Sequence, residues 1–319
     1  MIKNLTLLIL SFLFFQSAKA QKTTDTVLYY MKNSGVSVST KDSADYLRLV
    51  ISPQSNTDKD LFKVRDYYSN GKLKMVATSL NDKIPLFFDG NIINYFPDGK
   101  RKSTLEYING RLSGVITTYY PNGELFRTIK MQENGDVSLV ECRDSTGQVL
   151  GLNGTGHVIV FDDDFKNIIE EGDIKDDKKN GEWRGLIGDT GRYVSVFRNG
   201  VHKSGTSYMK SGNQYTFKKI IVEPEYEGGE TYLNIYLHQN MVYPEFAKEH
   251  HINGTVHVNF IVEKDGSITN VKIADTGEKI PSLDEEAVRL ISSMPMWTPG
   301  KIYGIPMRIP YSVPVGFYY

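Results

Sequence analysis

Cysteine is nearly absent from this chain of 319 residues, which has one thiol, that of Cys142. A single cysteine excludes an internal disulfide framework and any metal site built from several thiolates. Free cysteines most often act as small buried apolar side chains, and we interpret Cys142 in this way. A reactive or intermolecular thiol is the alternative and less frequent case.

Excess charge of one sign is also lacking, since the formal net charge is -1. The chain therefore has no global basic field that would hold nucleic acid. The Gly-x-Ser-x-Gly elbow and the His-Glu-x-x-His helix, which place a nucleophile or a catalytic zinc ion, do not occur in the sequence. We predict a protein that is not an enzyme and that uses no cofactor and no metal.

Long apolar runs are confined to the N-terminus, where Lys3 precedes the run Leu5–Phe15. This run is well short of the ~20 residues that a membrane-spanning helix needs. Ala18-Lys19-Ala20 follows and supplies the small-x-small pattern that signal peptidases cleave. The pattern predicts a signal peptide over residues 1–20 and an exported mature chain that starts near Gln21.

Three clusters of polar residues or glycines resemble ligand sites, but their sequences favour ordinary turns and loops. His250–His251 lies at a helix-to-strand junction, where alternate side chains disfavour a joint metal site, so a solvated turn is predicted. Asp162–Asp164 with Glu170–Glu171 lacks the spacing and glycine of a calcium loop and is typical of a hairpin tip. Gly151–Gly156 lacks the Gly-Lys-Ser/Thr ending of a phosphate-binding loop.

Asn-Gly and Asp-Gly pairs recur through the first two thirds of the chain, several of them after a pair of aromatic residues. The main units are Tyr67–Leu73, Tyr95–Arg101 and Tyr119–Leu125, with a secondary unit at Tyr107–Gly114. Because such pairs tolerate positive φ at both central turn positions, they predict tight β-hairpins. Their recurrence predicts hairpins that stack into one elongated sheet.

The pattern returns in Lys179–Gly185 and Phe197–Gly205. The Asn-Gly-Glu-Trp-x-Gly and Tyr-Tyr-x-Asn-Gly-x-Leu forms resemble MORN-type repeats and the related repeats of bacterial antitoxin-like proteins. The resemblance implies stacked β-hairpins over residues 67–215, and we interpret residues 21–66 as an N-terminal β cap of that sheet. Cross-strand packing explains the many tyrosines; stacking on sugars or peptidoglycan is the alternative.

From Gly228 the pattern changes to alternating helices and strands. Ser282, with Glu285 three residues later, predicts a capping box at the start of the last helix. The other predicted elements are a helix over Glu230–Asn240, a short helix from Tyr243 to Ala247, strands over Thr255–Val262 and Ile268–Ile273, a turn at Lys264–Ser267 and an extended segment over Gly304–Tyr319. These elements predict a small α+β domain over residues 225–319, so that the whole chain is mainly β with an α+β C-terminal domain.

The last third also resembles the C-terminal domain of TonB. The motifs that carry the resemblance are Tyr243-Pro244-x-x-Ala247, Gly254-Thr255-Val256-x-Val258-x-Phe260-x-Val262, Asp265-Gly266, Leu283-Asp284-x-Glu286-Ala287, Met294-Pro295-x-Trp297-x-Pro299-Gly300 and Pro314-x-x-Phe317. In that family the domain binds a short extended segment of an outer-membrane receptor, which adds as a strand to the sheet edge. The resemblance implies a periplasmic protein-binding module with a role in TonB-dependent transport across the outer membrane.

The resemblance places the partner-binding element in the last strand. The implied partner-binding residues are Met307, Arg308, Ile309, Tyr311, Ser312, Val313 and Val315. Pro306, Pro310 and Pro314 share one parity, so in a regular strand their missing N–H groups would lie along one edge. Proline is tolerated there only if that edge is unpaired.

The chain departs from an energy transducer in two respects. A transducer needs an uncleaved membrane anchor and a proline-rich linker, whereas this N-terminus predicts cleavage and repeats fill the place of the linker. The alternative function is an envelope scaffold whose repeats bind peptidoglycan or surface glycan. The predicted partner is an outer-membrane receptor or another envelope protein.

Overall fold

The computed structural model describes residues 25–53, 61–132, 134–275 and 280–318. The predicted signal peptide over residues 1–20 lies outside these ranges. Seventeen strands in the described part of the chain are assigned to a long antiparallel sheet, and a small α+β region follows them. The predicted fold class is therefore confirmed.

The chain divides into two compact units. The first contains the residues up to Glu124 together with Lys130–Asp136, and the second contains Leu125–Ile129 together with the residues from Val137 onward. The strands of the first unit are β1 (Thr26–Met31), β2 (Ser37–Val38), β3 (Tyr46–Ile51), β4 (Phe62–Tyr68), β5 (Leu73–Ser79), β6 (Gly90–Tyr95), β7 (Arg101–Ile108) and β8 (Arg111–Tyr119). Strand β9 (Leu125–Met131) contributes residues to both units.

The second unit begins with a run of strands that pair antiparallel in chain order. These are β10 (Val137–Arg143), β11 (Val149–Leu152), β12 (Thr155–Phe161), β13 (Ile168–Lys175), β14 (Lys178–Ile187), β15 (Gly191–Arg198), β16 (Val201–Met209) and β17 (Gln214–Phe217). The remaining elements are β18 (Ile221–Val222), α1 (Gly229–Asn240), α2 (Glu245–Glu249), β19 (Gly254–Val262), β20 (Ile268–Ile273), α3 (Pro281–Ser292), β21 (Lys301–Ile302), β22 (Ile305–Pro306) and β23 (Ile309–Phe317). We term α1 to β23 the C-terminal module.

The turns of the aromatic units are hairpins, but not of the predicted type. In Asn70-Gly71 the glycine has φ 79, whereas Asn70 is not in the positive-φ region. The Tyr68 N–H donates to the Lys72 carbonyl at 2.8 Å, and the Gly71 N–H donates to the Tyr68 carbonyl at 2.9 Å. The loop thus has three residues, with glycine in the left-handed position that ends a type I turn. Asn70 Oδ1 adds a bond by accepting the Lys72 N–H at 3.0 Å.

Turns with positive φ at both central residues occur elsewhere, at Asn109–Gly110, Asn153–Gly154 and Asn199–Gly200. Asn180–Gly181 shares the sequence pattern but lies inside β14. The β13–β14 hairpin closes instead at Asp176–Asp177, where φ is 52 and 58. The Asn/Asp-Gly pattern therefore predicts the positions of most turns, whereas the type of each turn depends on how the strands on either side of it pair.

Consecutive turns of the first unit are tied to each other by side chains. Lys72 Nζ donates to the Asp98 carbonyl at 3.1 Å, and one unit later Lys100 Nζ donates to the Pro121 carbonyl at 3.1 Å. The Tyr68 hydroxyl donates to the Tyr95 carbonyl at 2.7 Å. The repeated residues thus bond neighbouring hairpins, as stacked units require.

An ion pair is buried in the sheet of the first unit. Arg48 and Asp66 face each other across β3 and β4 and form two hydrogen bonds of 2.8 Å. Their side chains are only 12% and 3% exposed. The two-pronged geometry satisfies both groups, which a buried pair needs to offset its desolvation.

Aromatic rings cover glycines on the neighbouring strand at three places in the second unit. Trp183 lies over Gly172, Tyr193 over Gly185, and Phe217 over Gly205, each pair being directly opposite in register. A Cβ on any of these glycines would lie under 3.0 Å from the ring. The glycines of the repeat pattern thus make room for the rings, a second role besides turn formation.

The C-terminal module has one continuous apolar core. Helices α1 and α3 contribute Leu233, Leu237, Leu290 and other side chains, and β19 contributes its inward face. Gly266 is required in the β19–β20 turn because a Cβ would lie under 3.0 Å from the Trp297 carbonyl. None of the helices in the described ranges has the length and hydropathy needed to cross a bilayer.

The predicted capping box of α3 is wrong. The helix begins at Pro281, and its N-cap is Ile280, which makes no side-chain cap. The Ser282 hydroxyl lies inside the first turn, where it is buried without a hydrogen-bond partner among the described residues. Proline has a backbone suited to the first helical position, so Pro281 starts the helix two residues earlier than a Ser282 N-cap would.

A short hairpin, β21–β22, packs on β15–β17 within the second unit. Tyr303 forms its tip with φ 53, and its ring stacks on Tyr193 at 4.3 Å between centroids. The Tyr303 carbonyl accepts the Ser207 hydroxyl at 2.7 Å, and its N–H donates to the Ile220 carbonyl at 2.7 Å. Burial, and then the hydrogen bond to Glu170, raise the pKa of Tyr193. These contacts join the C-terminal module to the last strands of the sheet.

Candidate partner-binding edge

The C-terminal module contains a three-stranded antiparallel sheet in the order β20-β19-β23. Strand β23 pairs with β19 along its whole length, from Ile309 opposite Val262 to Phe317 opposite Gly254. On its other side, β23 has no partner strand among the described residues. The last strand therefore forms an edge of the sheet.

Side chains alternate along β23 between the core and the open face. Val313, Val315 and Phe317 are buried in the core, whereas Pro310, Ser312, Pro314 and Gly316 are exposed. In an antiparallel strand, residues of one parity direct both N–H and C=O to the same side. Since Pro310 and Pro314 have no N–H to give to β19, the even-numbered residues face the free edge.

The parity argument from the sequence needs one correction. Pro306 lies in β22, opposite Lys301, and not in the last strand. Pro310 and Pro314 lie in β23 opposite Ile261 and His257, as edge prolines should. The strand also extends to Phe317, so that Gly316 adds an N–H of the same parity as that of Ser312. The free edge thus has four carbonyl acceptors but only two donors.

An aromatic cluster holds the first half of β23 in place. Tyr311 contacts Trp297 at 5.1 Å and Phe260 at 5.9 Å between ring centroids. Trp297 also contacts Phe260 at 5.3 Å. Such edge-on and tilted pairs add to the apolar burial of the rings. The sheet edge is therefore supported from the core side by rigid side chains.

An ion pair fixes the segment that leads into β23. Arg308 Nε donates to Glu263 Oε1 at 2.9 Å. The Thr269 hydroxyl first, and Arg308 second, lower the pKa of Glu263. Met307 donates its N–H to the Gly300 carbonyl at 2.9 Å. The entry into β23 is thus held by contacts with the residue that follows β19 and with the residue that precedes β21.

The residues implied by the resemblance lie together, but in different environments. Ser312 is exposed and is one of the even-numbered residues whose backbone groups face the free edge. Arg308 is exposed just before the strand. Tyr311, Val313 and Val315 direct their side chains to the core. Pro310, Pro314 and Gly316 face the free edge, although the sequence prediction of the binding set did not include them. The signal that finds them is the parity shared by the two prolines.

Glu286 stabilises the module, although the sequence analysis assigns no function to this residue. Its carboxylate accepts the Val242 N–H at 2.7 Å and two bonds from Arg289, each 2.7 Å. Arg289 also donates to the Asn240 carbonyl at 2.8 Å, at the end of α1. Burial raises the pKa of Glu286, but the bonds from Arg289 and Val242 outweigh it and hold the pKa below its usual value.

The other clusters considered in the sequence have structural roles. His250 and His251 are exposed at the end of α2, and the His250 ring stacks on Phe246 at 4.3 Å. Asp162 accepts the N–H groups of Lys166 and Asn167 at 2.7 and 3.1 Å and so closes its own hairpin. Cys142 is fully buried, which confirms its interpretation as an apolar side chain; burial raises the pKa of its thiol.

The fold and the edge define a class: a small α+β module whose last strand is exposed on one side. Residues 239–319 match the family model described as Gram-negative bacterial TonB protein C-terminal. The match covers about a quarter of the chain and includes all of β19, β20, α3 and β23. No curated protein and no solved structure matches the chain. The MORN-type resemblance of the preceding strands stays a prediction, supported by their antiparallel hairpin sheet.

Proposed function

We propose that the C-terminal module binds an extended segment of an envelope protein, such as an outer-membrane receptor, as an added strand beside β23. The observation that carries the proposal is the unpaired edge of β23 inside the segment that matches the TonB C-terminal family. Strand addition uses backbone hydrogen bonds for affinity and alternate side chains for selectivity. The protein would thereby take part in TonB-like transport across the outer membrane.

The edge is suited to this role in three ways. Its outward groups belong to exposed residues, so that a partner strand meets no covering element among the described residues. The strand is held by nine register positions on β19 and by the Trp297 cluster, so little ordering entropy is lost on binding. The docked hairpin at Tyr303 joins the module to β15–β17, which would give the edge a fixed orientation on the sheet.

The repeat strands would act as a platform, and the mature chain would be periplasmic after removal of residues 1–20. Glycan binding by the repeats is not favoured, because aromatic rings of the pattern are engaged in packing. Phe96 and Tyr120 are buried, and Trp183 covers Gly172. We propose no catalytic step for this protein.

A photo-crosslinking residue at Ser312 tests the proposal in cells. The expected product is an adduct with an outer-membrane receptor or other envelope protein, attached within a short extended segment. The matched control places the same group at Lys272, which is exposed on β20 at the opposite edge. Adducts of equal yield at both positions, or none at Ser312, would contradict strand addition at β23.

A further inference from the structure

The free edge of β23 differs from an ordinary strand edge in its balance of donors and acceptors. Pro310, Ser312, Pro314 and Gly316 all direct carbonyls outward, but only Ser312 and Gly316 also direct an N–H outward. An incoming strand must therefore supply mainly N–H donors. This asymmetry decides which strands the edge can accept.

A second copy of β23 is a poor match for this edge. If two copies paired antiparallel about Ser312, each Ser312 would exchange both bonds with its counterpart. Pro310 would then face Pro314 of the other copy, and neither residue could donate. Four carbonyls would then each face a proline nitrogen that carries no hydrogen, which is unfavourable wherever water is excluded.

Other registers in which two copies of β23 could pair also leave some carbonyls without an N–H donor. Shifting the copies by two residues places Pro310 opposite Gly316 and Ser312 opposite Pro314, so that each pair loses one bond. Centring the pairing on Pro314 places the two prolines opposite each other with no bond at all. A strand with an unbroken row of N–H groups loses only the bonds that the prolines of β23 itself cannot donate.

We propose that the edge of β23 excludes a second copy of this chain and selects an extended segment of a different chain with an unbroken row of inward N–H groups. This inference rests on the proposed function, since it specifies the partner of the same edge. Proline in the partner is expected only at positions that point away from β23. Ser312 sets the register of the partner strand, because it is the residue between the two prolines that offers both an N–H donor and a carbonyl acceptor at the free edge.

The first arm of the test measures self-association of the full-length chain by sedimentation velocity. Replacing both Pro310 and Pro314 by alanine adds two N–H donors per copy and is expected to strengthen dimerisation. Because one net hydrogen bond lowers the dissociation constant roughly tenfold, the dimer dissociation constant should fall by roughly tenfold or more. Pro306→Ala is the matched control, because Pro306 lies in β22. A wild-type dimer paired through β23, or a double variant as monomeric as the wild type, would overturn self-exclusion.

A thiol reporter locates any dimer that forms. Ser312→Cys introduces the only accessible thiol, since Cys142 is buried. Residues opposite each other in an antiparallel pair are close enough for a disulfide. Rapid disulfide formation is expected in the double-alanine background and slow formation in the background that keeps both prolines. Equal rates in the two backgrounds would count against the proposal.

The second arm uses a random dodecapeptide display library as the probe, selected on the full-length wild-type chain. Selected peptides are expected to lose at least tenfold in affinity on Ser312→Pro but not on Ser312→Ala, which keeps the N–H. They are also expected to tolerate N-methylation only at alternate residues, namely those whose N–H groups point away from β23. Peptides that bind but ignore Ser312→Pro would overturn this inference alone. A library that yields no binder would instead count against the proposed function, while the self-association arm still decides self-exclusion.

Discussion

Single glycines set the spacing of the repeat strands because rings occupy the space of their missing side chains. Gly172 shows this most directly, since Trp183 lies on it and also donates its indole N–H to the Asp173 carbonyl at 2.7 Å. The ring is therefore fixed from two sides and has little freedom to move. A side chain at Gly172 would displace a buried indole rather than a flexible chain end.

Gly172→Ala is accordingly expected to destabilise the second unit by about 1–3 kcal/mol through overpacking. The measurement is urea unfolding followed by the fluorescence of Trp183 in a Trp297→Phe background. Gly254→Ala is the control, because a Cβ there meets nothing closer than 3.6 Å. Equal effects of the two substitutions would show that backbone freedom, not ring contact, explains the glycine.

Glu286 predicts a pH dependence of the C-terminal module. Its pKa is lower in the folded state than the ordinary value of 4.5. A depressed pKa adds stability that is present above the ordinary value and lost as the pH falls through the folded-state pKa. Glu286→Gln should lose about 1–3 kcal/mol near neutral pH, from its charged hydrogen bonds. Unfolding of the wild type and variant at several acidic pH values should show a smaller difference at low pH; a constant difference would contradict this assignment.

At the scale of elements, the β21–β22 hairpin joins two regions that the sequence presents as separate. Tyr303→Ala removes the ring that stacks on Tyr193 and is expected to cost about 1–3 kcal/mol. Amide exchange should accelerate in β17, β18 and the hairpin while β19 stays protected. Tyr318→Ala is the control, as this exposed tyrosine lies at the other end of β23. Unchanged exchange at β17 and β18 would contradict a joining role for the hairpin.

The elements that the sequence predicts well are those with local signals. Alternation predicted β19, and the Asp265-Gly266 turn follows from a glycine that must adopt φ 90. In the predicted N-terminal β cap, the sequences of Val27–Tyr30 and Tyr46–Ile51 are typical of short strands, and they lie within the observed bounds of β1 and β3. Each of these signals lies within a few residues of the element it determines.

The features that escaped prediction depend on distant contacts. Counting alternate residues along the chain assigns Pro306 to the last strand. This is wrong because the sequence does not show that the Met307 N–H bonds to the Gly300 carbonyl, which separates Pro306 from β23. The Tyr303 tip has no local motif; its position depends on Tyr193, 110 residues earlier in the chain. The residues that face the free edge of β23 are found only when the parity of the prolines is combined with the observed register.

At the scale of the whole molecule, the proposed role depends on where the mature chain resides. The run Leu5–Phe15 followed by Ala18-Lys19-Ala20 predicts cleavage before Gln21. Mass spectrometry of the N-terminus in separated soluble and membrane fractions measures this. The expected result is a chain starting at Gln21 in the soluble envelope fraction, which could bind a receptor segment but would need another protein to couple it to energy. A membrane-bound chain that keeps Lys3 would contradict cleavage, and direct energy transduction through the Tyr303-docked module would then become the function to test.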